Sequence, residues 1–234
     1  MKRFWDTAAV AEEGDGFVVR LDGRPVLLPG GRALRVATRA LAEELAGEWQ
    51  HAGGAKGGEL RWEALPLTRL VGTAEERIAP DPAPTVEALV KYGETDLLCY
   101  RAADPALAAR QALMWNPWLD WARDELRAPL ATTEGVMPTP QHPAALEALR
   151  RAAAATPPLG LAALGVLVPA LGSLVLGLAV QRGRLAAAGA HELAVLDEAF
   201  QEEAWGRDWE AEERRARIAA DLAGAERLLR LADA

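Results

Sequence analysis

The first third of the chain carries short apolar runs separated by turn signals, a pattern that predicts β-strands. Residues 17–21 and 26–28 are two such runs, and the Asp22-Gly23 pair between them supplies the positive φ angles of a tight hairpin. A second turn signal at residues 13–16 predicts that residues 8–11 join the same sheet. The spacing therefore predicts a small β-sheet near the N-terminus.

Helical periodicity follows this region. Thr38 is a favourable N-cap, and apolar residues then recur every four positions at Leu41, Leu45 and Trp49. The pattern predicts one amphipathic helix there. Residues 62–70 lack this periodicity, and we expect short extended or turn structure around their proline.

A Pro-rich stretch at residues 80–84 is the best linker candidate, and beyond it the apolar spacing is mostly helical. We therefore predict an α+β protein, with a small N-terminal β-rich domain over residues 1–79 and a larger, mostly α-helical domain over residues 80–234. We predict that the chain from about residue 190 onward forms one long helix or two. Its predicted core stripe consists of Ile218, Leu222, Ala225 and Leu229.

Polar residues followed by proline mark predicted helix starts in the second domain. Asp104-Pro105 and His142-Pro143 each combine an N-cap with proline at the first helical position. Asn116-Pro117 repeats the signal, so residues 106–115 and 118–126 are predicted to form separate or kinked helices.

Residues 159–180 carry no charge and, as one helix of about 33 Å, are long enough to span a bilayer. Pro169 argues against this, because it removes a backbone hydrogen bond in the middle of the segment and leaves two halves that are too short. We therefore favour a buried helix of a helical domain over a transmembrane helix, and we expect the chain to break at Pro169.

Composition narrows the function classes. The chain has 234 residues with 26 basic and 34 acidic side chains, so the net charge is −8, and no basic run is present to bind nucleic acid. Half of the residues are hydrophobic, which excludes a disordered chain. The N-terminus has neither a signal peptide nor a transit segment, so we expect a cytoplasmic location.

Catalytic chemistry has little support in the sequence. There is no P-loop and no G-x-G-x-x-G motif, and the single serine, Ser173, lies in an apolar run. His191 lacks the second histidine of a zinc-protease helix, and Cys99 has no nearby histidine, which favours a buried thiol. We expect no cofactor and no metal site. A carboxylate-dependent hydrolase stays open, because acidic residues are plentiful.

Tryptophan is unusually frequent, with eight residues against two tyrosines and three phenylalanines. Trp115, Trp118 and Trp121 share one face if the chain is helical, as a core seam or as an exposed strip that grips a partner. Acidic residues lie beside two further tryptophans at residues 197–210. This segment is either a solvated acidic helix or a docking edge for another protein.

Within the acidic segment, Glu198, Glu202 and Trp205 have the spacing of one helical face. Repulsion between the two glutamates disfavours this face in an isolated helix.

Eight stretches of the sequence resemble one protein family. The resemblance rests on Arg3-Phe4-Trp5, residues 21–26, residues 41–49, residues 65–68, residues 92–101, residues 115–121, residues 196–201 and residues 205–208. The block Thr-Asp-Leu-Leu-Cys-Tyr-Arg at residues 95–101 and the late Trp-Gly-Arg-Asp block are specific together. In this order and spacing they are similar to the assembly chaperone of the alpha subunit in the catalytic sector of F-type ATP synthase.

The resemblance implies a protein without catalysis or cofactor that is soluble, bacterial and cytoplasmic. It implies the unassembled alpha subunit as the partner, bound until beta subunits replace the chaperone. Glu198 is the first choice for a partner-binding residue, followed by Glu202, Trp205 and Asp208. We expect a monomer that neither inserts into membranes nor binds nucleic acid. The alternatives are a carboxylate-dependent hydrolase and a generic helical protein-binding scaffold.

Overall fold

The computed structural model describes residues 2–206 and 208–233. They form two compact units, one of residues up to Asp81 with those from Arg227 onward, and one of residues 82–226. The first contains a small sheet and the second is mostly helical, which confirms the predicted α+β class. The domain division at residues 79 and 80 stays a prediction.

The first unit is built on a small antiparallel sheet. Strand β2 pairs with β1, β3 and β4, and the hairpin after β2 has Asp22 and Gly23 at φ angles of 47° and 81°. The predicted turn chemistry and the predicted pairing of residues 8–11 are thus confirmed. The elements of this unit are β1 (Ala8–Glu13), β2 (Gly16–Leu21), β3 (Arg24–Pro25), β4 (Arg35–Val36), α1 (Arg39–His51) and α2 (Pro66–Thr73).

Helix α1 begins as predicted, because the Thr38 hydroxyl accepts a hydrogen bond from the backbone N–H of Leu41 over 3.3 Å. Its predicted apolar stripe is buried. The indole N–H of Trp5 donates to the backbone carbonyl of Trp49 over 3.0 Å, and the two rings meet edge to face at 5.3 Å. This contact fixes the N-terminal segment on the end of α1.

The prediction for residues 62–70 is wrong, because they form a short 3-10 helix at Trp62–Ala64 and then α2. The cause is a cap that local sequence does not reveal. The carboxylate of Glu48 on α1 accepts backbone hydrogen bonds from Leu67 and Thr68 over 2.6 and 2.9 Å. Pro66 occupies the first helical position, where its missing N–H costs nothing.

The described residues of the second unit form helices joined by loops, together with a two-residue pair of parallel strands. Its first helix begins at Ala83, inside the Pro-rich stretch that was predicted to be a linker. The elements are α3 (Ala83–Glu94), β5 (Tyr100–Arg101), α4 (Pro105–Glu125), β6 (Thr133–Glu134), α5 (Pro143–Ala154), α6 (Pro158–Leu171), α7 (Leu174–Gln181), α8 (Ala187–Ala194), α9 (Leu196–Trp205) and α10 (Trp209–Ala232), whose last turns belong to the first unit.

The predicted caps Asp104 and His142 are both present, but α4 continues through Pro117. The alternative of two separate helices at Asn116 is therefore wrong, and a kink in α4 at Pro117 stays a prediction. Pro117 and Leu113, four residues earlier, both lie on the exposed side of α4. Water can reach the carbonyl that loses its intrahelical donor there, which lowers the cost of the proline.

Residues 159–180 form α6 and α7, which are buried along most of their length. The chain breaks at Gly172, whose φ is 63°, and not at Pro169 as predicted. Ser173 then caps α7 by accepting from the N–H of Leu176 over 3.0 Å. Among the described residues, no helix is both long and apolar enough to cross a bilayer.

From residue 190 onward, the described residues contain the end of α8 followed by α9 and α10, where one long helix or two were predicted. Leu222 and Ala225 of the predicted stripe on α10 are buried, and Ile218 and Leu229 are half-buried. Leu228, which the prediction omitted, completes the buried stripe.

Candidate functional site

Helices α9 and α10 form a hairpin that carries all four predicted site residues; we call residues 196–206 and 208–226 the acidic hairpin. Helix α9 ends at Trp205, and Gly206 follows with a φ of 88°, a conformation that favours glycine. Asp208 directly precedes α10, and its carboxylate accepts a hydrogen bond from the backbone N–H of Glu210 over 3.0 Å. The side chain of Asp208 is therefore a helix cap.

Two arginines of α10 neutralise the glutamates of α9. Arg215 Nη2 lies 2.6 Å from Glu202 Oε1, and Arg215 Nη1 lies 3.4 Å from Glu198 Oε2. Arg214 lies 3.2 Å from the same Glu198 oxygen. These cations offset the repulsion predicted between Glu198 and Glu202, and the pKa of Arg215 is raised mainly by its hydrogen bond to Glu202.

The opposite side of α9 is anchored on α4. Arg110 forms a two-point ion pair with Glu203 at 2.6 and 2.9 Å and lies 5.1 Å from the ring centre of Phe200. Gln111 donates to the carboxylate of Asp197 over 2.8 Å. The hydrogen bond from Arg110 holds the pKa of Glu203 below its usual value. Acidic side chains thus fasten α9 in place.

The tip of the acidic hairpin exposes two indoles. Trp205 is 88% exposed and Trp209 is 72% exposed, on either side of Gly206. Folding gains little from such exposed apolar surface, whereas tryptophan is favoured at protein-binding hot spots. The two indoles of the predicted docking edge are therefore exposed, whereas Glu198, Glu202 and Glu203 pair with arginines of the same chain.

The Trp115–Trp121 strip is divided between core and surface. Trp115 is fully buried, and its indole N–H donates to the backbone carbonyl of Leu193 over 3.0 Å. Trp118 and Trp121 are half-buried and contact each other edge to face at 6.3 Å. Trp115 is thus a core residue, and its hydrogen bond to Leu193 joins α4 to α8.

Two further reactive side chains, Cys99 and His191, are affected by burial. Burial raises the pKa of the Cys99 thiol to about 12, so it is an inert buried group, as predicted. Burial and the charge of Arg215 lower the pKa of His191. Within the described part of the chain, no cluster of three metal-ligating side chains occurs.

Arg110, Arg214 and Arg215 were not among the residues predicted from the sequence. Arg214 and Arg215 directly follow the acidic segment, and a helical hairpin brings them beside Glu198 and Glu202. The two adjacent arginines after the acidic segment could therefore have predicted these ion pairs. Arg110 lies 93 positions from Glu203, and the local pattern gives no sign of their pairing.

Comparison with known proteins gives consistent matches. A model of the family described as ATP12 chaperone protein matches residues 2–123, which end before the acidic hairpin. The crystal structure of Atp12 from Paracoccus denitrificans is 46% identical, with 99% of this chain and 98% of that chain covered and a TM-score of 0.90. A point mutant of that protein matches equally well.

An Agrobacterium tumefaciens protein described as a candidate chaperone is 39% identical, with a TM-score of 0.89 and coverage of 98% of this chain and 85% of that one. Both structural matches extend over the acidic hairpin, which the family model does not reach. The family is one of assembly chaperones and not of enzymes. The chain belongs to the ATP12 chaperone family.

Proposed function

We propose that this chaperone binds the unassembled alpha subunit of the F-type ATP synthase catalytic sector and covers the surface that later contacts beta subunits. Exposed apolar surface on an unassembled subunit promotes aggregation. The chaperone shields this surface in the cytoplasm, as a monomer, until beta replaces it. The proposal joins the family membership to the resemblance noted in the sequence.

The observation that carries the proposal is the pair of exposed indoles, Trp205 and Trp209, at the tip of the acidic hairpin. Their large apolar faces match the apolar surface of an unassembled subunit. Central aromatic anchors of an interface typically contribute about 2 kcal/mol or more each. We infer that these two residues contact the client.

Glu198 and Glu202 have a positioning role in this proposal. Their carboxylates hold α9 against Arg214 and Arg215 of α10. Asp208 caps α10 beside the indoles. The paired charges thus fix the direction in which Trp205 points from the end of α9.

Release of the client requires no nucleotide, because beta competes for the same surface with higher affinity. The absence of a P-loop from the sequence agrees with this. The exchange follows mass action, so adding beta should displace the chaperone from alpha.

The direct experiment is co-purification with the alpha and beta subunits expressed separately. We expect the chaperone to retain alpha and not beta. Retention of beta alone would contradict the proposal, and equal retention of unrelated unfolded chains would favour a generic scaffold. The hydrolase alternative loses support, because the family consists of chaperones and Glu198, Glu202 and Glu203 of the hairpin pair with arginines.

Glu198→Lys separates contact from positioning. It places a lysine beside Arg214 and Arg215, so we expect α9 to loosen and retention of alpha to weaken. The double variant Glu198→Lys with Arg214→Glu restores an opposite pair and should recover retention. Failure to recover, with the hairpin intact by hydrogen exchange, would indicate that Glu198 itself contacts the client. Full retention by the single variant would exclude both roles.

A further inference from the structure

The first unit contains a groove whose lining includes no residue of the acidic hairpin. It encloses about 370 Å³ between the turn after β3, the end of α1 and one face of α2 with the π-helical turn that follows it at Ala74–Ile78. We call it the α2 groove. Its lining residues used below are Leu27, Leu28, Trp49, Trp62, Arg69, Gly72, Glu76 and Arg77.

Two large apolar side chains that line the α2 groove are exposed to solvent. Leu27 is 59% exposed and Trp62 is 52% exposed, while Leu28 beneath them is buried. Gly72 lies at the bottom of the groove beside Leu28, because a Cβ atom at residue 72 would lie 3.4 Å from Leu28 Cδ2. A larger side chain at residue 72 would fill part of the groove.

The groove also contains an unsatisfied donor. Trp49 is only 4% exposed, and its indole N–H has no acceptor among the described residues. A buried donor without an acceptor costs about 1–3 kcal/mol. This N–H is covered in the free protein, so a bound peptide must move the lining side chains before its backbone carbonyl can supply the missing acceptor.

The free charge at the rim is positive. The guanidinium groups of Arg69 and Arg77 form no ion pair within the described part of the chain, and both residues are exposed. The carboxylate of Glu76, which accepts the N–H of Gly30 over 2.5 Å, also lies in the lining and keeps its negative charge, so the two arginines exceed it by one positive charge. Charge complementarity therefore favours an acidic ligand.

We propose that the α2 groove binds an extended peptide segment of a client protein that carries an apolar side chain beside acidic residues. The apolar side chain packs between Leu27 and Trp62, a backbone carbonyl accepts from Trp49, and the carboxylates meet Arg69 and Arg77. The volume is near the lower end of ligand pockets, about 300–1,000 Å³, which suits a short segment and not a folded partner. This inference rests on the proposed chaperone function and adds a second client-binding surface.

The test uses the full chain and two labelled nonapeptides, one with a central leucine between glutamates and one with the glutamates replaced by lysines. Fluorescence anisotropy should detect binding of the acidic peptide only. The double variant Arg69→Glu with Arg77→Glu should weaken it by about tenfold or more. The matched control Arg24→Glu, an exposed charge reversal outside the groove, should bind as wild type does. Equal binding by the double variant and the control would overturn the proposal.

The indole N–H of Trp49 gives a second measurement that is independent of charge. Its nuclear magnetic resonance signal, assigned by its loss in Trp49→Phe, should move when the acidic peptide saturates the chaperone. A stationary signal at saturation would overturn the assignment of the groove. Self-association that Trp62→Ala abolishes, without peptide binding, would indicate a second copy as the occupant and also overturn it.

The two proposals fail separately. Retention of alpha with no binding of the acidic peptide would leave the proposed function standing and reject the α2 groove. Peptide binding that depends on Arg69 and Arg77, with no retention of alpha, would support the groove and reject alpha as the client.

Discussion

Glu202 Oε1 on α9 lies 2.6 Å from Arg215 Nη2 on α10, and both side chains are mostly buried. This pair closes the acidic hairpin near its tip, one helical turn before Trp205. The acidic segment, for which the sequence left a solvated helix and a docking edge open, contains paired charges that join α9 to α10 beside two exposed indoles.

Reversing one charge of the pair formed by Glu202 and Arg215 should loosen the acidic hairpin. Glu202→Lys leaves Arg215 partly buried and opposed by a like charge, so we expect a loss of about 1–3 kcal/mol in unfolding free energy, measured by urea denaturation. Hydrogen exchange should increase in α9. Arg217→Glu, an exposed reversal on α10, is the matched control and should change stability by less than about 0.5 kcal/mol. Equal losses in the two variants would contradict a stabilising role for this pair.

Tryptophans of the two classes should respond differently to truncation. Trp115→Ala creates a cavity and removes the hydrogen bond to Leu193, so unfolding free energy should fall by about 3–5 kcal/mol. Trp205→Ala should change it by less than about 0.5 kcal/mol, because the indole is exposed. Thermal and urea unfolding measure both. A large loss in Trp205→Ala would assign that residue to the fold.

Asp96 should make stability depend on pH. Burial raises its pKa from 3.8 to about 6, although it accepts hydrogen bonds from Ser173, Val175 and Leu98. The folded state thus holds the proton more tightly than the unfolded state. The stabilisation is complete below about pH 4 and is lost as pH rises through 6, by up to about 3 kcal/mol.

The comparison that isolates this effect is Asp96→Asn against wild type across pH 4 to 7. The variant lacks the titrating group, so its unfolding free energy should fall less, or rise more, over this range than that of wild type. Parallel pH profiles would show that Asp96 has an ordinary pKa in the folded state.

Glu48 should determine whether α2 forms. Its carboxylate caps two backbone N–H groups and accepts from the Thr68 hydroxyl over 2.9 Å. Glu48→Ala leaves these donors without their partner, and we expect a loss of about 1–3 kcal/mol with faster exchange in α2. Glu43→Ala, at an exposed site on the same helix, should have little effect. Unchanged exchange in α2 would reject the cap.

Features whose chemistry lies within a few residues were predictable from the sequence. The Asp22-Gly23 hairpin and the caps Thr38, Asp104 and His142 each depend on a residue and its immediate neighbours. The family resemblance was also available, because it rests on blocks of adjacent residues. The comparisons confirm it.

Features that depend on distant partners were not predictable in this way. The cap of α2 comes from Glu48 on another helix, and the charges that neutralise Glu198 come from α10. Pro117 ends a helix by local rules, yet exposure of that side of α4 permits continuation. The predicted site residues do lie together on one hairpin. Only the tertiary contacts show that Glu198 and Glu202 are paired within the chain whereas Trp205 is exposed.

The central claim is that Trp205 and Trp209 contact the client, and one binding measurement tests it most directly. The affinity of the isolated alpha subunit is measured for wild type and for the double variant Trp205→Ala with Trp209→Ala, whose folding is first verified by urea denaturation. We predict a loss of about 100-fold or more, which corresponds to about 3 kcal/mol. Unchanged affinity in the folded double variant would contradict the account.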